Sequence, residues 1–266
     1  MGELLYRLRY ARSLITVRSM ARELSAYRRT WRRPARATAL RFVIFASSRT
    51  GSSLLMDLLN SHPDIECEDE ILSHRIFSAR RFLEARAALS RRPVFGFKLK
   101  VSHLATQGIK DPAAFLDRLH AEGCRIVHLV RRDRLRQALS SAVARQRLAY
   151  HQTHAGRQLR PGPFRIDARR LIERMRRMDT HLAGERAALV DLPHLALCYE
   201  DDLLRAETFQ ATLDRVFDFL GVPRAPVSTE YLRTGTDRLT DLVANLDEVQ
   251  QALRMTEYAA TVGTLG

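Results

Sequence analysis

The chain has 266 residues, 45% of them apolar, enough for one sizeable globular domain with an appendage. Its formal charge of +14 points toward acidic partners, while the lack of any run of about eighteen apolar residues excludes a spanning helix from the reading. Cys67, Cys124 and Cys198 are odd in number and far apart, which argues against a disulfide framework or a zinc site and for a reducing, cytoplasmic setting. The first residues also lack the apolar core and small-residue cleavage site of a secretory signal.

Residues 1–38 read as a basic helical extension, and residues 39–266 as the main domain. Up to residue 40 there are ten arginines against Glu3 and Glu23. Leu5, Leu8, Ala11 and Ile15 recur at helical spacing between arginines, so residues 4–31 are predicted as one or two helices, ended before Pro34. Such a segment either packs on the domain or lies on a membrane surface, peripheral to its inner face, or mediates association into a homo-oligomer. Nucleic acid is not expected as a partner, because no nucleic-acid-binding motif accompanies the charge.

Four apolar runs follow as predicted buried strands, at 41–47, 94–99, 125–130 and 194–199. Helical patterns at 52–60, 111–121, 135–149, 168–189 and 208–220 alternate with them. The expected fold class is therefore α/β, a mainly parallel sheet of P-loop type flanked by helices. Sheets of this kind bind ligands at the carboxyl ends of their strands. Residues 151–167, rich in Gly, Pro and polar side chains, are predicted as a long loop or lid.

The first strand runs into Ser47-Ser48-Arg49-Thr50-Gly51-Ser52-Ser53 and then a helix. Gly51 lets the backbone curl, and the amides of Gly51, Ser52 and Ser53 at the helix start favour an anion. A loop for nucleoside triphosphates would carry Gly-Lys-Ser/Thr, with the lysine on the outer phosphates and the hydroxyl on magnesium. Here serine follows Gly51, and no metal site is expected. His151 and His154 have the spacing of half a metal site but no third ligand, and solvent exposure is favoured for both.

A second strand-turn-helix, residues 125–146, places Arg131 and Arg132 at a strand end and Ser140 on the next helix. Arginine grips phosphate bidentately and a serine hydroxyl completes the shell. Two anion sites at neighbouring strand ends suit a nucleotide phosphorylated at both the 5′ and the 3′ position.

This pair resembles the 5′-phosphosulfate loop and the 3′-phosphate motif of sulfotransferases, which use 3′-phosphoadenosine-5′-phosphosulfate as donor. The closer resemblance is to bacterial carbohydrate sulfotransferases of the trehalose and nodulation-factor types. It rests on "SSRTGSSLL", His62-Pro63, Glu70-Ile71-Leu72, Gly96-Phe97-Lys98, "LVRRDRLRQALS", Ala144-Arg145-Gln146, Tyr199-Glu200 with Leu203, and Phe219-Leu220-Gly221, in that order across residues 41–250. The aromatic residue that often follows a "Q-T" element in that family is not evident; Tyr150 and His151 stand nearby instead.

The resemblance implies sulfuryl transfer to a hydroxyl of a carbohydrate or glycolipid, without metal. Ser48, Arg49, Thr50, Gly51, Ser52 and Ser53 would hold the 5′-phosphosulfate, with Arg49 clamping the bridging oxygen. Arg132 and Ser140 would hold the 3′-phosphate, assisted by Arg131. Glu70 is the expected base, chosen from Glu66, Glu68, Asp69 and Glu70 by its place before Ile71-Leu72; a solvated acidic loop is the bland alternative for these four. Lys98 either points into the cleft as a catalytic group or forms a structural ion pair. His103 and His154 stand next in line as base. Arg233 and Arg238 lie in a segment that approaches the nucleotide in relatives. Two other readings stay open: a kinase-like phosphotransferase on the same fold, and a non-catalytic basic module for membrane surfaces or nucleic acid.

Overall fold

A computed structural model describes residues 17–31, 40–147, 163–231 and 238–262. Five parallel strands form one sheet in the order β2-β3-β1-β4-β5. These are β1 (Leu40–Phe45), β2 (Ile65–Glu68), β3 (Val94–Leu99), β4 (Cys124–Val130) and β5 (Leu195–Cys198). The expected α/β class with a parallel sheet is thus the observed one. Because the strand order reverses beside β1, the loops leaving β1, β3 and β4 open toward a common crevice at the carboxyl edge.

Helices cover both faces. On one side, α1 (Val17–Trp31), α3 (Ala79–Leu89) and α5 (Pro112–Ala121) pack with the inner end of α7 (Ala168–Leu189) over Val43, Phe45, Phe95, Phe97 and Ile126. On the other, α2 (Ser52–Asn60) and α8 (Phe209–Leu220) pack over Phe42, Ile44, Val127, Leu129 and Leu197. Continuous burial along the central strands explains why they read as unbroken apolar runs. Gly96 of β3 lies opposite Phe42 of β1, and a Cβ at that glycine would stand 2.1 Å from the Phe42 ring, so the ring takes the space a side chain would need.

A third apolar cluster joins α6 (Arg134–Arg147) and α7 to the C-terminal α9 (Leu246–Arg254), through Leu139, Met175, Leu239 and Leu253. The short α4 (Val101–Thr106) and α10 (Ala259–Val262) complete the α-helices of the described residues.

The acidic stretch after the first helix is not a solvated loop: Ile65–Glu68 is the edge strand β2. Ile65 and Cys67 face the core, while Glu66 accepts from Ser90 Oγ (2.9 Å) and the Arg91 amide (2.8 Å), and Glu68 binds Arg86. With only four residues and two of them acidic, the strand carried little apolar signal. Asn60 at the end of α2 bonds both the N–H and the C=O of Cys67, satisfying the exposed edge.

The described part of the basic segment, α1, packs on the domain, one of the alternatives open for it. Ala26 is in the core, and the buried Glu23 accepts from the backbone N–H groups of Phe77 and Ser78. Residues 1–16, residues 151–162 of the loop predicted at 151–167 with His151 and His154, Tyr150 and Arg233 lie outside the described residues. No helix among the described residues is long and apolar enough to cross a membrane.

Candidate functional site

The loop from β1 to α2 turns tightly because two residues leave the ordinary backbone regions: Arg49 has φ 65° and Gly51 φ 89°. At Gly51 a Cβ would lie 2.5 Å from the Tyr199 ring, so glycine meets both the left-handed backbone and the close approach. Thr50 is buried and donates its hydroxyl to the Ser47 carbonyl (3.0 Å), locking the turn. No side chain caps the start of α2, so the amides of its first turn are left for another acceptor. Ser52 is buried and Ser48 exposed, with Ser53 between these extremes.

The second motif meets this loop directly. Arg49 Nε donates to Ser140 Oγ (3.0 Å). Arg131 Nη1 reaches the Arg49 carbonyl (3.3 Å), and its guanidinium carbon stands 4.6 Å from the centre of the Tyr199 ring. Burial pulls the Arg131 guanidinium down, against the upward influence of Tyr199 and Glu200. Its buried Nε has no hydrogen-bond partner among the described residues. That Nε stands 3.7 Å from Glu200 Oε1 in an ion pair, and a buried guanidinium together with uncapped helix amides suits an anionic ligand.

Arg132 is placed differently from its neighbour. Its exposed guanidinium forms a bidentate pair with Asp201 (2.6 Å to each oxygen). The contact to the loop between β1 and α2 is made by Arg131. The reason lies in alternation at the strand end: successive residues leave β4 on opposite sides.

Several supporting residues were not picked out from sequence. Gln137, fully buried one turn before Ser140, donates to the Ser48 carbonyl (2.8 Å) and accepts from Arg134. Glu185 of α7 accepts from Ser47 Oγ (2.6 Å) and faces His128 Nε2 (3.2 Å), which satisfies the strand histidine as expected of a core residue. Glu200, by contrast, belongs to the Tyr199-Glu200 element named in the sequence; it accepts from the amides of Arg132 (3.0 Å) and Asp133 (3.1 Å), fixing the start of α6. The only sequence signal for Gln137 was its position three residues before Ser140 on a helix; Glu185 gave none, because its partners come from β1 and β4.

At the neighbouring strand ends stands a second charged group. Glu70, just past β2, sits at φ 41°. It pairs with Lys98 Nζ (3.1 Å), with Lys100, and with the His103 ring at 3.6 Å. Asp69 also approaches Lys98 (3.6 Å). Burial pushes the Glu70 carboxyl up, but the His103 ring and the two ammonium groups outweigh it and hold it well below the ordinary carboxylate range. Burial also pulls His103 and Lys100 down. Lys98, 5% exposed, thus forms the ion pair named as its alternative role, and Lys100 and His103 join it. Among the described residues no cluster of His, Cys, Asp and Glu is arranged to hold a metal.

Arg49, Arg131 and Ser140 are therefore linked by hydrogen bonds in one cluster of donors beside the loop that leads into α2. Glu70, Lys98, Lys100 and His103 form a second, charge-rich group on the same edge of the sheet. No protein-family model matches the chain, and no curated protein matches it either. Among solved structures it is similar to a sulfotransferase from Alicyclobacillus acidocaldarius, at 13% identity over 88% of this chain and 94% of that one, with a TM-score of 0.49. It is also similar to the mouse sulfotransferase SULT7A1 complexed with PAP, at 14% identity over 86% and 90% of the two chains, with a TM-score of 0.45.

Proposed function

We propose that the protein transfers a sulfuryl group from 3′-phosphoadenosine-5′-phosphosulfate to a hydroxyl of a carbohydrate or glycolipid. The observation that carries this reading is the junction of two anion-binding motifs: Arg49 bonds Ser140 and Arg131 bonds the Arg49 carbonyl, so the loop after β1 and the helix after β4 share one cradle. A bisphosphorylated nucleotide has the charge distribution for such a cradle, and the loop lacks the lysine that a triphosphate requires.

Sulfuryl transfer asks for positioning and electrostatics more than for covalent chemistry, as phosphoryl transfer does. In this reading the amides of Gly51, Ser52 and Ser53 hold the 5′-phosphate. Arg49 neutralises charge on the leaving oxygen; its own charge is permanent, so it clamps and does not donate a proton. Ser140 with Arg131 holds the 3′-phosphate, and Arg132, drawn to Asp201, assists from the rim. The acceptor hydroxyl loses its proton to Glu70 as its oxygen bonds to sulfur and the S–O bond to the nucleotide phosphate breaks. Lys98 and Lys100 lie beside that carboxylate, where the transferring group carries negative charge.

The deciding experiment is binding of adenosine 3′,5′-bisphosphate in the presence of a chelator, read by calorimetry and thermal shift. At a hundred times its dissociation constant the ligand should stabilise the fold by about 2.7 kcal/mol. Equal competition by ATP with magnesium, or loss of binding in chelator, would favour the kinase-like reading.

The two arginines separate in a second measurement. Arg131→Ala should weaken bisphosphate binding by roughly ten- to a hundred-fold, the worth of a charge-assisted hydrogen bond. Arg132→Ala should weaken it less, since an exposed guanidinium already paired to a carboxylate contributes little. The reverse order of effects would return the 3′-phosphate to Arg132.

A further inference from the structure

Two large apolar side chains are exposed where α1 meets the turn before α3: Phe77 at 97% and Leu24 at 63%. Their backbones are tied together by Glu23. This buried carboxylate, adjacent in sequence to Leu24, accepts from Tyr27 Oη (2.7 Å), from the Phe77 amide (3.0 Å) and from the Ser78 amide (3.3 Å). The other side of the turn is pinned by Gln107, which accepts from the Ile76 amide (3.0 Å) and donates to the carbonyls of Leu72 (2.8 Å) and His74 (2.6 Å). Ile76 is thereby held inward and Phe77 outward. The turn is built, and it presents an aromatic ring to solvent.

The surroundings are basic. Arg75 and Arg81 flank Phe77, and Arg28 lies one helical turn beyond Leu24 on α1; all three are exposed. No exposed acidic side chain occurs in residues 21–30 or 71–81, Glu23 being buried. Two apolar side chains supply far less than the roughly 800 Å² per partner of a stable protein interface. Apolar tips among cations instead match a bilayer, where the tips enter the acyl boundary and arginines meet anionic headgroups.

We propose that this face, Phe77 and Leu24 ringed by Arg28, Arg75 and Arg81, seats the protein on an anionic bilayer surface. The same turn begins at Glu70, whose carbonyl accepts from the Ser73 amide (2.9 Å). An acceptor hydroxyl carried on a lipid would therefore arrive at the charged end of the candidate site, a consequence that rests on the sulfuryl-transfer reading while the seating itself does not.

The test is flotation of the full chain with phosphatidylcholine vesicles and with vesicles in which about a third of the lipid is phosphatidylglycerol. Binding to the anionic vesicles should exceed that to neutral ones by at least about tenfold. The double variant Phe77→Ser/Leu24→Ser should lower it by about tenfold or more, and Arg28→Glu/Arg75→Glu/Arg81→Glu by at least as much. Both variants should keep the parent melting temperature and bisphosphate affinity, since the altered side chains are exposed. Vesicle binding by a protein that fails to bind the bisphosphate would leave this face in place and remove only the acceptor argument. Equal binding to neutral vesicles, or unchanged binding of the Ser variant, would overturn the proposal. So would a concentration-dependent dimer, without vesicles, that the Ser variant abolishes, because the face would then belong to a second copy.

Discussion

Glu70→Gln is expected to lower single-turnover sulfation by about 10²–10⁴-fold while leaving affinity for adenosine 3′,5′-bisphosphate undiminished. His103, Lys98 and Lys100 together outweigh its burial and hold the carboxyl below the ordinary carboxylate range, which favours the charged form but weakens it as a base. A bound anion that draws the two ammonium groups toward itself would restore the basicity they suppress. Removing the charge also leaves both lysines without their shared counter-ion, so affinity for an anionic donor should hold or rise. The measurement is a single-turnover assay with labelled donor and a lipid or oligosaccharide acceptor, alongside calorimetry. Glu66→Gln and Glu68→Gln serve as comparisons, since their carboxylates are committed to Ser90, Arg91 and Arg86. A loss of nucleotide affinity in Glu70→Gln, with an unchanged chemical step, would make Glu70 a structural anchor for the lysines. The stability effect has a definite sign. A carboxyl held below its unfolded value contributes above that value, about 4.3, and the contribution is lost as pH falls toward the folded one. Parent and Glu70→Gln should therefore differ in stability at neutral pH and converge in acid.

Glu185→Ala should destabilise the fold by about 3 kcal/mol, seen as a fall in melting temperature of roughly 6–12 °C. Glu185 is 1% exposed, and its loss leaves the half-buried Ser47 Oγ and the buried His128 Nε2 without this partner. Glu185→Gln keeps an acceptor for Ser47 and should recover at least half of the loss. Ser47 opens the phosphate loop, so the alanine variant should also bind the bisphosphate more weakly when measured well below its melting temperature. A melting temperature within about 1 °C of the parent would mean that water or a shifted rotamer replaces the carboxylate and that the loop does not depend on α7.

Much of this architecture was present in the pattern of the chain. The runs at 94–99 and 125–130 are strands over nearly those residues, and the helical patterns at 52–60 and 168–189 match α2 and α7 residue for residue. These segments carry their own signals: unbroken apolar runs for strands buried on both faces, and Asp167 as N-cap of α7, accepting from the Arg170 amide. The special backbone at Gly51 was legible because glycine alone tolerates it cheaply. Strand β2 was not legible, since two of its four residues are acidic and its identity as a strand comes from pairing with β3. Helices α3, α4, α9 and α10 were also missed; α4 has six residues and α10 four, too few for a period to emerge.

For the candidate site, sequence order by itself placed Arg49, Gly51, Arg131 and Arg132 just after strands and Ser140 on the following helix, because anion-binding chemistry of this type is local to a strand-turn-helix unit. Which of two adjacent arginines faces the loop was decided only in three dimensions, by the way successive residues leave β4 to opposite sides and by Asp201 capturing Arg132. The pairing of Glu70 with Lys98, Lys100 and His103 likewise joins the ends of two strands. Glu185 reaches Ser47 across 138 positions of chain. Ion pairs and buried hydrogen bonds are set by distance in space, and separation along the chain carries no trace of it until the sheet has brought the strand ends side by side.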